Sequence, residues 1–200
     1  MHITHPATED NVITAILQAE LPMKRHDQKY AEALKGMPKR RLPEGFFTRP
    51  EYAGLRQYVL RAGRGWPDQQ IFIDFPVCDW DFGVLEMSDL ASLDYIFYDY
   101  WNELSGGTHK VVDGATAVAA GKIVYEQPNE AFWEIEHLTK EGKRFPPLVL
   151  LRNRPSGRYT IVEGHTRATG FALAGRVPSG QVIIIGTPRH ETMWSKEEKQ

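Results

Sequence analysis

The segment from Leu148 to Ile185 constrains the fold of this chain more than any other part of the sequence. Three short apolar stretches and one run of small residues between two glycines alternate there: Leu148–Leu151, Tyr159–Val162, His165–Ala174 and Val182–Ile185. Apolar stretches bounded by turn residues predict strands, and the run between Gly164 and Gly175 predicts a helix. Strands that alternate with helices favour an α/β (α+β) fold, here a small mixed sheet with helices.

The dipeptide Glu163-Gly164 lies at the predicted junction between a strand and the helix that begins at His165. The first N–H groups of a helix lack partners within the helix, and the positive end of its dipole lies there, so such a junction suits an anion. Arg167 adds a fork-shaped cation, and Glu163 and His165 add groups that exchange protons. The segment therefore predicts a ligand that carries phosphate.

The order of these elements resembles the ParB/sulfiredoxin superfamily over about residues 121–186. The resemblance rests on Phe132 to Leu151, with its Phe145-Pro146-Pro147 turn, followed by Tyr159-Thr-Ile-Val-Glu-Gly-His-Thr-Arg167-Ala. Members of the superfamily typically show an apolar strand, then Asp/Glu-Gly-His-x-Arg, then a helix of small residues.

The resemblance implies a nucleotide phosphate at this corner. Gly164 would allow close approach of the backbone, the N–H groups of His165, Thr166 and Arg167 would hold the phosphate, and the Arg167 side chain would clamp it. The implied ligand is a nucleotide, ATP or CTP, with Mg²⁺ as an associated ion. Glu163 and His165 would be the catalytic residues of a phosphotransferase or hydrolase. The alternatives are a ParB-like DNA-binding or regulatory module, or a nuclease of plasmid or phage origin.

Departures from the family pattern narrow the choice. Sulfiredoxins carry a catalytic cysteine two residues before the arginine, where this chain has His165, and Cys78 lies well outside the motif. A full partition protein also needs a helix-turn-helix downstream, for which too few residues follow the last predicted strand.

The preceding part of the chain predicts a mainly helical extension over residues 1–110, before a ParB/sulfiredoxin-like domain at 111–190 and a charged tail at 191–200. Caps at Thr8 and Thr48 predict two amphipathic helices, and apolar spacing predicts a long helix over Asp89–Leu104 capped by Ser88. Gln70–Phe75 predicts a strand.

Each candidate residue also has a purely structural interpretation. Glu163 is equally compatible with a strand end paired to Arg167, His165 with a residue that contributes only its N–H, and Thr166 with a local cap. The basic stretch Lys24–Arg41 predicts contact with nucleic acid or, alternatively, an ordinary solvated surface. A net charge of −2 with a pI near 6.4 argues against a surface devoted to nucleic acid.

Composition predicts a cytoplasmic protein without a membrane segment. The single cysteine, Cys78, has no partner for an internal disulfide. No apolar run approaches the roughly 20 residues of a membrane helix, and the N-terminus lacks the features of a secretory signal. The seven scattered histidines show no spacing typical of zinc ligands. The sequence leaves the oligomeric state open.

Overall fold

A six-stranded mixed sheet organises the chain. The computed structural model describes residues 1–23, 26–35, 42–153, 156–190 and 194. The strands, in order across the sheet, are β1 (His2–Ala7), β2 (Cys78–Val84), β6 (Val182–Pro188), β4 (Leu148–Arg152), β5 (Tyr159–Glu163) and β3 (Leu93–Asp94). The β6–β4 and β5–β3 pairs are parallel, and the other neighbours are antiparallel.

Seven α-helices accompany the sheet in the described part of the chain. They are α1 (Glu9–Glu20), α2 (Asp27–Ala31), α3 (Ala53–Arg64), α4 (Asp99–Leu104), α5 (Val111–Ala119), α6 (Glu130–Lys140) and α7 (His165–Ala174). Helix α1 begins as its sequence predicts, because the Thr8 side chain accepts from the Asn11 N–H while the Asn11 side chain accepts from the Thr8 N–H.

The central strands are buried on both faces, which produces three layers. On β4, Val149 and Leu151 pack into the cluster formed with α1, α2 and α3, whereas Leu148 and Leu150 pack into the cluster that contains α7. Successive side chains of a strand point to opposite faces, so continuous apolar runs in β4 and β6 serve both layers. The predicted α/β (α+β) fold with a mixed sheet is confirmed.

The last third of the chain matches the sequence prediction closely. The predicted helix His165–Ala174 has the observed bounds of α7, and Gly164 and Gly175 flank it with φ values of 107° and 62°. Strands β4, β5 and β6 form where predicted and extend one to three residues further. In the described part of the first 110 residues there are four α-helices and three strands, and these strands join the same sheet as the C-terminal strands.

Two predicted elements in the first half are wrong. Gln70–Phe72 is a 3₁₀ turn rather than part of a strand, and the left-handed backbone at Gln70 (φ 54°) and Asp74 (φ 55°) is incompatible with an extended segment.

The predicted helix Asp89–Leu104 is instead a 3₁₀ segment (Met87–Ser92), the short strand β3 and the helix α4. Ser88 is not its cap. The chain extends at Asp94 because this residue pairs with β5 and its carboxylate receives two hydrogen bonds of 2.6 Å from Arg158. A long-range contact of this kind overrides local helical spacing.

Candidate functional site

The corner between β5 and α7 requires glycine. Gly164 has a φ of 107°, and a Cβ placed on it would lie 2.8 Å from Cγ of Leu148 and 3.2 Å from a terminal nitrogen of Arg167. A side chain would therefore strain the backbone and collide with a fully buried leucine. The close approach of a phosphate to Gly164, which the family resemblance implies, stays a prediction.

The N-terminus of α7 has free donors. No side chain caps it, and the first described N–H that bonds back to the corner is that of Ala168, which donates to the Gly164 carbonyl at 2.9 Å. Within the described residues, the N–H groups of His165, Thr166 and Arg167 have no hydrogen-bond acceptor. Three free donors at the positive end of a ten-residue helix suit an anion. We call these three N–H groups the α7 seat, or phosphate seat.

The Arg167 side chain is directed into the protein. It is 4% exposed and donates to the carbonyls of Pro146 and Pro147, the second at 3.1 Å, and to Glu163 Oε1 at 3.1 Å. Burial lowers the pKa of Arg167, and the neighbouring Glu163 opposes that effect. The guanidinium therefore ties the Pro146-Pro147 turn to the corner, and its two terminal nitrogens already have acceptors.

His165 lies in an aromatic stack. Its ring centroid is 4.9 Å from that of Trp101 at an interplanar angle of 14°, and Tyr95 stacks on Trp101 in turn at 4.7 Å. Burial and the charges of Arg167 and Arg64 lower the pKa of His165 to about 3. The ring is neutral near pH 7 and is a weak base, so of the two predicted catalytic residues Glu163 has the more suitable surroundings.

Glu163 and Thr166 both face the cleft next to the corner. The Glu163 side chain is 19% exposed and pairs with Arg167, which leaves room for one carboxylate oxygen to act on a ligand. The Thr166 hydroxyl makes no hydrogen bond to any described residue, so the predicted local cap does not form, and the hydroxyl is available beside the free N–H groups.

A cleft of about 890 Å³ opens beside this corner and includes every residue from Glu163 to Arg167 in its lining. Among its described lining residues are four cationic and three acidic side chains: Arg64, Lys143, Arg144, Arg167, Glu20, Glu134 and Glu163. Aromatic rings, including Tyr98, Tyr100 and Phe145, line other parts of the wall. Ligand sites of proteins usually occupy some 300–1,000 Å³ and combine apolar walls with a few polar groups. The cleft is large enough for a nucleotide.

Three lining or supporting residues of the cleft were missed by the sequence analysis. Arg64 ends α3, and its Nε lies 3.2 Å from Glu20 Oε1. The Tyr30 hydroxyl donates to the other oxygen of Glu20. These residues lie more than 90 positions before the motif, and nothing in their local spacing indicates that they meet it.

Other predicted features lie elsewhere or outside the described residues. In the basic stretch, Lys24, Arg25, and residues 36–41 fall outside the part of the chain that the structure describes, and nucleic-acid binding by this stretch stays a prediction. Cys78 lies on β2, where burial and Asp79 raise its pKa to about 12, so its thiol is a poor nucleophile. Among the described residues, no three His, Cys, Asp or Glu side chains come together as metal ligands would.

No helix in the described ranges is long and apolar enough to cross a membrane. Comparisons with protein-family models, curated proteins and solved structures give no match for this chain. The resemblance to the ParB/sulfiredoxin superfamily therefore stays a prediction from the motif.

Proposed function

We propose that this chain binds a nucleotide, with a phosphate group on the N-terminus of α7. The observation that carries the proposal is the set of three unpartnered N–H groups at His165, Thr166 and Arg167, which opens into the cleft of about 890 Å³. Backbone donors at a helix start bind phosphate without side-chain rearrangement. Lys143 and Arg144 lie exposed on the same cleft and supply positive charge near the phosphate.

The Arg167 side chain has a positioning role in this proposal. Because its terminal nitrogens bond to Pro146, Pro147 and Glu163, it fixes the shape of the corner rather than reaching the phosphate. Loss of the side chain would remove a donor from two carbonyls and a carboxylate, so a weaker ligand affinity in Arg167→Ala would not by itself identify a direct contact. A variant that removes one of the free N–H groups of α7 tests direct contact with the phosphate.

Thr166→Pro provides that variant. Proline removes the N–H of residue 166 and is tolerated in the first turn of a helix, where that N–H makes no internal hydrogen bond. Thr166→Ala is the matched control, since it removes the hydroxyl but keeps the N–H. In calorimetric titrations with ATP and CTP, with and without Mg²⁺, we expect Thr166→Pro to weaken binding by about tenfold or more relative to Thr166→Ala. Equal affinities of two folded variants would contradict the proposed seat.

A reaction at this site would use Glu163 as the base. In a hydrolase, the water oxygen attacks the terminal phosphorus, Glu163 takes the water proton, and the bond to the leaving phosphate oxygen breaks. In a phosphotransferase, a hydroxyl of the acceptor replaces the water. Glu163→Gln keeps the hydrogen bond to Arg167 but cannot accept a proton, so turnover should fall at least about 100-fold with little change in nucleotide affinity. Unchanged turnover would remove Glu163 from the mechanism.

A further inference from the structure

Arg64 brings a second cationic group into the cleft, from a helix that the motif does not include. It is the last residue of α3, in the layer formed by α1, α2 and α3, whereas the corner belongs to α7. Arg64 and the residues of the corner line the same cleft. The positive charge of Arg64 also helps to lower the pKa of His165, which agrees with their proximity.

Arg64 is partly exposed, but it is anchored by a carboxylate that is almost fully buried. The Glu20 carboxylate is only 3% exposed, and it receives the Tyr30 hydroxyl on one oxygen and faces Arg64 Nε, 3.2 Å away, with the other. Burying a carboxylate and a guanidinium together is costly unless both are well supported. Helices α1, α2 and α3 each contribute one member of this group, and Glu20 links the other two: Tyr30 holds the Glu20 carboxylate, and the carboxylate in turn faces Arg64.

The terminal nitrogens of Arg64 are uncommitted. The side chain is 17% exposed, and neither terminal nitrogen hydrogen bonds to a residue that the structure describes. Arg167, in contrast, has acceptors for both of its terminal nitrogens. Arg64 and Arg167 are the two arginines whose charges act on His165 at the corner. Of these two, Arg64 is the one with a guanidinium still able to bind an anionic group.

We propose that Arg64, held by Glu20 and Tyr30, binds a second phosphate of the ligand, so that the cleft selects nucleoside di- or triphosphates over monophosphates. This proposal rests on the phosphate seat at α7. The two sets of donors belong to separate helices, α3 and α7, and line the same cleft, so a ligand with two linked phosphates can place one phosphate on each set. The first 110 residues then form part of the binding site itself.

The test compares the affinities of AMP, ADP, CMP and CDP by calorimetry for the full chain and its variants. In the wild-type protein, the diphosphate of at least one base should bind about tenfold tighter or more than its monophosphate. Arg64→Gln should remove most of that difference and leave monophosphate affinity within about twofold. Arg64→Lys keeps the positive charge but lacks the paired donors of the guanidinium, so it should retain part of the diphosphate preference that Arg64→Gln loses.

Two further variants keep the test decisive. Arg64→Gln removes the charge of Arg64 from beside the buried Glu20 carboxylate and so lowers stability. The double variant Glu20→Gln with Arg64→Gln removes both charges and should show the same loss of preference. Arg61→Gln, on the same helix but paired with Asp68 and half exposed, should change nothing.

The outcomes separate the two proposals. Equal affinity for mono- and diphosphates in the wild type, or an equal loss for both in the Arg64 variants, would overturn the role of Arg64 and leave the α7 seat intact. If no nucleotide binds the wild-type protein, both proposals fail together. If Thr166→Pro weakens binding while the Arg64 variants keep the diphosphate preference, only the second phosphate site fails.

Discussion

Replacing Gly164 with alanine should damage the corner far more than the same replacement at the other end of α7. Both glycines have positive φ, 107° at Gly164 and 62° at Gly175. The new methyl group at position 164 would lie 2.8 Å from Leu148 Cγ, a distance at which atoms must move, whereas nothing lies within 4 Å of a Cβ at position 175.

The magnitudes follow from these surroundings. A left-handed alanine costs about 1–2 kcal/mol, which is the whole effect expected for Gly175→Ala. Crowding of a packed core adds about 1–3 kcal/mol, because Leu148 is fully buried. Gly164→Ala should therefore destabilise the fold by roughly 2–5 kcal/mol.

Urea unfolding of both variants, followed by circular dichroism, measures the difference directly. The Gly164→Ala protein should also bind nucleotide more weakly at temperatures where it remains folded, since relief of the clash moves the corner. Gly175→Ala lies far from the free N–H groups and should bind normally. A Gly164→Ala protein no less stable than Gly175→Ala would refute the close contact with Leu148.

Two other predictions concern charge. The pKa of His165 is about 3 in the folded protein and near 6.5 in an unfolded chain, so its neutral form stabilises the fold above about pH 6.5, and that stability is lost as the pH falls toward 3. His165→Phe keeps a ring in the stack, and its unfolding free energy should fall less between pH 7.5 and pH 5 than that of the wild type; an identical fall would show that His165 titrates normally. Arg56, 2% exposed, donates to both carboxylate oxygens of Asp10 and to two backbone carbonyls. Arg56→Met should cost about 2–4 kcal/mol in urea unfolding, and a loss under 1 kcal/mol would contradict that estimate.

The sequence predicts the last third of the fold because its signals there are local. Gly164 and Gly175 mark both ends of α7, and apolar strands buried on two faces are continuous in sequence, as in β4. Strand β2 was missed although Cys78, Trp80, Phe82 and Val84 alternate with polar residues or glycine. This period of two indicates a strand, but Asp79, Asp81 and Gly83 are residue types that are depleted in strands.

The candidate site also has one part that the sequence predicts and another part that it does not. The run from Glu163 to Arg167 could be found from sequence because a helix start and its donors are local features. The direction of the Arg167 side chain could not be found in this way, since its acceptors at Pro146 and Pro147 lie 21 and 20 residues away. Arg64 joins the cleft only because α3 packs against α1, a consequence of tertiary structure that no local pattern encodes.

The most direct test of the phosphate seat is a titration of ¹⁵N-labelled protein with ADP and CDP, followed by the backbone amide signals of the folded chain. We expect the largest shifts on the amides of His165, Thr166 and Arg167, with downfield proton shifts as their N–H groups gain an acceptor. The amide of Gly175, at the other end of α7, should move little. Saturable shifts elsewhere with these three amides unmoved would show that the ligand binds at another place, and would contradict the account.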